Sequence, residues 1–227
     1  YCKIVGMSVE KIAIVMDSTA YLPAELTKEL NIRTVYLNIV INGNSYKEVI
    51  DMPLDKYYDY LKNPNNSFPT TSQPAIGEVV SCLEKLKEEG YTDVIAIALS
   101  SGISGTFASY SVADLMVDGI NVHPFDSEVA CHPEGYYAIK AAMLIKEGKS
   151  SKEIIGALDE MKKVSKAYFM ADDLSHLQRS GRLSGAQAVV GNLLQVKPLL
   201  HFEDKVIVPF QKIRTYKKVV LRIYELF

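Results

Sequence analysis

Cysteine is scarce in this sequence. Cys2, Cys82 and Cys131 are odd in number and show no paired spacing. That excludes a disulfide framework and points to a reducing compartment, so the chain reads as cytoplasmic. An excess of charge is missing too, since 25 basic side chains against 27 acidic ones leave a net charge of −2. Proteins that neutralise many phosphates carry a basic surplus or stripe; neither is present, and nucleic acid is a poor partner. Long apolar runs are lacking: Val94–Leu99 is among the longest, far short of the roughly 20 residues of a membrane-spanning helix. No signal-peptide stretch opens the chain, and Met7 reads as the natural start behind a vector-derived leader, residues 1–6. Internal repeats and low-complexity segments are absent.

What is present is ordinary globular material, 48% hydrophobic and 23% charged over 227 residues, enough for one large domain or two modest ones. The first half alternates short apolar runs with helical spacing. Ile12–Met16 and Val94–Leu99 are continuous apolar runs, the pattern of strands buried on both faces of a parallel sheet. Ile32–Ile41 is rich in β-branched residues and leads through Asn42-Gly43-Asn44 into a hairpin. Helical spacing covers residues 75–89, with Ile76, Val79, Val80, Leu83 and Leu86 on one face; two further helices lie on either side of Gly148. This β-loop-α order predicts a mostly parallel sheet with helices on both faces. From Lys166 the pattern changes. Strands at 197–202 and 206–210, joined by a tight turn at Glu203-Asp204, must be antiparallel, which sets a domain boundary near residue 165. The expected division is an N-terminal α/β domain over 8–165 and a C-terminal α/β domain with antiparallel strands over 166–227.

Ligands of open α/β sheets sit beyond the carboxyl ends of the strands. Three strands here end in small hydroxylated or acidic residues: Asp17-Ser18-Thr19, Ser100-Ser101-Gly102 and Asp126-Ser127. A fourth cluster, Thr70-Thr71-Ser72-Gln73-Pro74, directly precedes a predicted helix. Unpaired N–H groups at two helix starts, dressed with hydroxyls, suit a carboxylate or phosphate. Ordinary N-capping explains either cluster alone; four hydroxyls within Ser100–Thr106 exceed what one cap needs. Other chemistries fail on spacing. Gly102-Ile103-Ser104-Gly105 places its second glycine one residue early for a nucleophile elbow, and the Gly-Lys-Ser/Thr of a P-loop is absent. His123, His132, His176 and His201 show no metal-ligand spacing, and Cys131 reads as a small buried residue. Arg179 and Arg182 are either solvated or one of them caps an anion.

Taken in order and spacing, Asp17-Ser18-Thr19-Ala20, Thr70–Pro74, Ser100–Thr106, Leu177–Ser184 and Val196–Leu200 resemble the motifs of the DegV family, from about Lys11 to the end of the chain. The resemblance implies a two-domain α/β fold holding a long-chain fatty acid such as palmitate between its domains, with no other cofactor and no metal. It implies a binding protein, not an enzyme: members of the FakB type present their fatty acid to a partner fatty acid kinase, which phosphorylates the carboxyl group. By motif position, the carboxylate contacts fall on Thr71 and Ser104, with Ser72 and Ser101 as near alternatives, and Arg182 lies on the ligand or partner side. Family chains run on to a late His-x-Gly-Pro-Gly segment that has no counterpart here. The last apolar-periodic run reaches Phe227 without a C-cap, so the C-terminal domain reads as incomplete. Two readings from the residues stand beside this: a hydrolase with Ser104 as nucleophile, and a phosphate-ester-binding protein using the same loops. Ile76, Phe107, Phe169, Leu193, Leu194 and Val196 are the expected apolar walls of a lipid site.

Overall fold

The computed structural model describes residues 10–171, 174–184, 197–213 and 215–226. A four-stranded parallel sheet forms its centre, in the order β2 (Ile32–Val35), β1 (Ile12–Asp17), β6 (Asp93–Ala98) and β7 (Asn121–Asp126). Every residue of β1 and β6 is buried, because successive side chains point to opposite faces and both faces are covered. Ile12, Ile14, Met16, Ile95 and Ile97 face one layer, made by α5 (His132–Lys146) and α6 (Ser151–Val164). Ala13, Val15, Val94, Ala96 and Ala98 face the other, made by α3 (Ile76–Glu88) and α4 (Thr106–Asp114). Ser150 starts α6 with a full capping box: its hydroxyl accepts from the Glu153 N–H while the Glu153 carboxylate accepts from the Ser150 N–H.

Two antiparallel sheets complete the described chain. One has the order β4 (Asn44–Lys47), β3 (Asn38–Ile41), β5 (Thr70–Ser72), with α1 (Ala24–Glu29) and α2 (Leu54–Lys62) nearby in sequence. The hairpin through Asn42-Gly43 is as expected, Ile41 facing Asn44 in register. The strand β5 is a correction. Thr70–Ser72 does not sit on a helix start: Thr71 pairs with Ile39 across the ladder, and α3 begins only after Ala75, which offers no side-chain cap. The second antiparallel sheet runs β10 (Val206–Ile213), β9 (Lys197–Glu203), β8 (Tyr168–Met170). Its tight turn falls one residue later than expected, at Asp204-Lys205, with Glu203 opposite Val206. One face of this sheet is covered by α8 (Tyr216–Glu225) through Val219; the other packs with Leu183 and Ile103.

In the parallel sheet the chain leaves β1 toward β2, then returns to the other side of β1 as β6. The topological switch point therefore lies between the carboxyl ends of β1 and β6, at Asp17 and Leu99. Among the described residues no helix is long and apolar enough to cross a membrane.

Candidate functional site

The two strand ends at the switch point are tied together. The Asp17 carboxylate accepts the Leu99 N–H at 2.8 Å, and through it the start of the Ser100–Gly105 loop is held to β1. Asp17 is fully buried and also accepts the N–H (2.9 Å) and hydroxyl (2.5 Å) of Thr19. The Thr19 oxygen lies 2.8 Å from Oε2 of Glu134, likewise fully buried in the first turn of α5. One hydroxyl proton cannot bond both acids, so one carboxyl carries a proton of its own. Burial, reinforced by the neighbouring Asp17 charge, pushes Glu134 well above the ordinary carboxyl range. Burial raises Asp17 as well, but the donors from Thr19 and Leu99 oppose it and favour Asp17 as the ionised member. Ser18, beside them, donates to Glu48 at 2.5 Å and accepts the Leu37 N–H at 3.0 Å. The Asp-Ser-Thr cluster is thus spent on holding the strand ends.

The loop after β6 is held from below and from the side. Ser101, one of the expected contacts, gives its hydroxyl to Asp126 Oδ2 (2.5 Å) and its N–H to Oδ1 (3.0 Å). Burial would raise Asp126, yet the hydrogen bonds from Ser101 and Lys205 outweigh it and hold the carboxyl below its usual range. Ser104 is half-buried. Its oxygen lies 2.9 Å from Thr106 Oγ1 and accepts the Thr106 N–H at 3.3 Å, with Gly105 as the N-cap of α4.

The β5 segment reaches the same loop. A Cβ added to Gly105 would lie 2.9 Å from Oε1 of Gln73, so the glutamine side chain rests on the space glycine leaves open. Thr71 and Ser104 therefore stand on adjoining segments, two residues from Gln73 and one from Gly105. Thr71 and Ser72 are both exposed. Phe68, just before β5, meets the His176 ring at 4.9 Å and lies under the Arg179 guanidinium at 5.4 Å, both on α7 (Ser175–Arg179). Arg182 donates from Nε to the Ile103 carbonyl (3.1 Å) and from Nη1 to the Ser180 carbonyl. Gly181, with φ of +71°, closes α7 and lets the Arg182 N–H return to the Leu177 carbonyl at 2.9 Å.

The hairpin turn of the second antiparallel sheet also meets this loop. The Lys205 carbonyl accepts the Ser100 hydroxyl at 2.6 Å, and its ammonium pairs with Asp126 at 2.9 Å. A Cβ on Gly102 would come within 2.2 Å of that carbonyl. A cleft of about 430 Å³ borders Lys205, lined in part by Tyr137, Lys162, Tyr168 and His201. Two of its lysines are paired with acids, Lys162 with Glu128 and Lys205 with Asp126.

Sequence reasoning missed Lys205, gave Gln73 no role of its own within the Thr70–Pro74 cluster, and saw Asp126 only as a strand-end acid. No local pattern announces a long-range contact from a hairpin turn. Of the expected apolar walls, Phe107 packs into the core under α3 and α4, Phe169 into the core of the second antiparallel sheet, and Ile76 is 38% exposed. Leu193, Leu194 and Val196 lie outside the described residues. Cys131 is exposed as a residue, where a buried one was expected; it stands just before α5, at φ of +62°. Among the described residues no group of three or more His, Cys, Asp or Glu is arranged to hold a metal ion.

The family model for uncharacterised proteins of the DegV family matches residues 11–227. The chain belongs to the DegV family. It is 56% identical over 216 residues to protein DegV of Bacillus subtilis strain 168, covering 95% of this chain and 76% of that one. Two solved structures of the family are similar in fold. The Bacillus subtilis DegV crystal structure, described as a fatty acid binding protein, has a TM-score of 0.88 at 55% identity, covering 96% of this chain and 77% of that one. A fatty acid binding DegV family protein from Streptococcus agalactiae has a TM-score of 0.87 at 32% identity, with coverage of 96% and 77%. As a DegV family member the chain has the mixed α/β architecture expected of it, a parallel sheet accompanied by antiparallel ones.

Proposed function

We propose that this DegV family chain binds a long-chain fatty acid such as palmitate in the cytoplasm and presents its carboxylate to a separate fatty acid kinase, catalysing nothing itself. The carboxylate is held by Thr71 and Ser104, with Ser72 beside them; Ser101 supports the loop through Asp126, and Arg182 braces Ile103 on the partner side. The chain divides near residue 165 into two lobes, with the ligand between them. The observation that carries this reading is the meeting of Gln73 with Gly105, which puts two hydroxyl-bearing segments side by side at the switch point of an open α/β sheet. The fatty acid binding relatives support it from outside.

The energetics agree. A sixteen-carbon chain buries about 14 methylenes at roughly 0.8 kcal/mol each, a gross gain on the order of 11 kcal/mol. Leaving the carboxylate without donors would cost several kcal/mol of that, so a tail tunnel needs a hydroxyl cluster at its mouth. A hydrolase reading needs a base beside Ser104. Three histidines are engaged elsewhere, His123 with Asp93, His201 with Tyr168 and Phe210, and His176 with Phe68, while His132 is exposed at the start of α5.

The test is palmitate retention. Thr71→Ala and Ser104→Ala are each expected to weaken palmitate binding by about 1 to 3 kcal/mol, roughly 5- to 150-fold, with unfolding midpoints unchanged. Isothermal titration with palmitate measures this directly. Wild-type affinity in the double variant would show that the carboxylate lies elsewhere. Tight binding of phosphate esters without palmitate binding would favour the phosphate-ester reading instead.

A further inference from the structure

We propose that Lys205 and Asp126 are positioning residues for the carboxylate loop: the hairpin turn clamps Ser100–Gly105 and so holds Ser104 in its binding arrangement. The inference rests on the fatty acid reading for its ligand but not for its geometry.

Three observations carry it. First, the Asp126 carboxylate, 7% exposed, takes donors from three directions: the Ser101 N–H and hydroxyl, the Glu128 N–H at 3.1 Å, and the Lys205 ammonium. The loop and the hairpin are thereby joined through one acid. Second, the turn grips the loop's main chain as well as its acid. The Lys205 carbonyl receives the Ser100 hydroxyl, lies against the bare Cα of Gly102, and admits no side chain there. Arg182 adds a bond to the Ile103 carbonyl, so the segment is held at successive residues up to Ser104. Third, the turn residue itself is locally unfavourable. Asp204 and Lys205 have φ of +47° and +72°, the two left-handed positions of a two-residue hairpin turn. Glycine is the cheapest occupant of the second position, and a lysine there is strained. A lysine stands at a glycine position with its ammonium turned onto a buried acid, and such strain fits a side chain that is used.

The residues do not touch the proposed ligand. They act through the loop, and the ion pair makes the clamp sensitive to salt. Amide hydrogen exchange of residues 100–105 in the ligand-free protein reads the clamp directly; release of radiolabelled palmitate at low and high salt reads its effect on binding. Lys205→Met is expected to speed exchange in the loop and to accelerate palmitate release about tenfold at low salt, leaving release nearly independent of salt. Lys205→Arg, which keeps the charge, is expected to restore both. Asp126→Asn should resemble Lys205→Met, with its unfolding midpoint measured alongside. The proposal is overturned if Lys205→Met exchanges and releases like the wild type. It is equally overturned if Arg fails to rescue, or if exchange rises while release is unchanged. If the wild-type protein retains no palmitate at all, the fatty acid reading fails on its own, and the exchange experiment still decides whether the hairpin clamps the loop.

Discussion

Gly102→Ala is expected to lower the melting temperature by roughly 6 to 12 °C, an effect large for an exposed loop position. The backbone does not require glycine here, since φ is not in the left-handed region; the space does. An added Cβ would stand 2.2 Å from the Lys205 carbonyl oxygen and 2.7 Å from its carbon, and neither can swing away as a side-chain tip would. The hairpin must retreat. That breaks the Ser100 hydroxyl bond to the same carbonyl and stretches the Lys205–Asp126 pair. Overpacking against backbone costs about 1 to 3 kcal/mol and the lost hydrogen bond about 1 more, so a total near 3 kcal/mol is reasonable. In a chain of this size each kcal/mol shifts the midpoint by roughly 2 to 4 °C. Differential scanning calorimetry measures the shift, and a variant melting with the wild type would mean that the hairpin does not rest on this loop. Palmitate retention should fall in parallel.

The buried acids give the second large effect. Asp17→Ala is expected to cost about 3 to 5 kcal/mol, the range for removing one partner of a buried charged network. It strands the Leu99 N–H, on a residue 5% exposed, and the Thr19 N–H and hydroxyl without their acceptor. Glu134→Gln is expected to change stability little, because the neutral amide matches the protonated carboxyl in shape and in hydrogen bonding to Thr19. The two acids also set a pH dependence. A carboxyl raised in the folded state binds its proton more tightly there than in the unfolded chain. Its contribution is complete below the unfolded value, 4.5 for Glu134, and is lost as pH climbs toward the folded value well above it. Asp93 and Asp126, both held low, act in the opposite sense and below their ordinary value of 3.8, so they leave that window clear. Urea midpoints measured from pH 4.5 upward should therefore decline in the wild type and decline less in Glu134→Gln. Equal slopes would place the proton elsewhere.

Much of the architecture was legible in the residues. Val94–Leu99 announced a strand buried on both faces because an unbroken apolar run has no solvent side to spare. Asn42-Gly43 announced its hairpin because few residues accept its backbone angles. The Thr70–Ser72 segment was misread for a definable reason. Hydroxyls before a helix are the signature of a cap, and only pairing with β3, about thirty residues earlier in the chain, makes the segment a strand.

Local chemistry along the chain was enough to mark most of the strands and helices, and the order of its motifs was enough to point to the family. Folding in three dimensions decided which of the clustered hydroxyls were already spent. Ser18 and Ser101 are taken by Glu48 and Asp126, Asp17 shares a proton network with Glu134, and Lys205 reaches back across the sheet to hold the loop that carries Ser104. Such pairings join residues up to 115 positions apart, and no periodicity records them. They arise because a buried polar group must find a partner wherever packing brings one within reach.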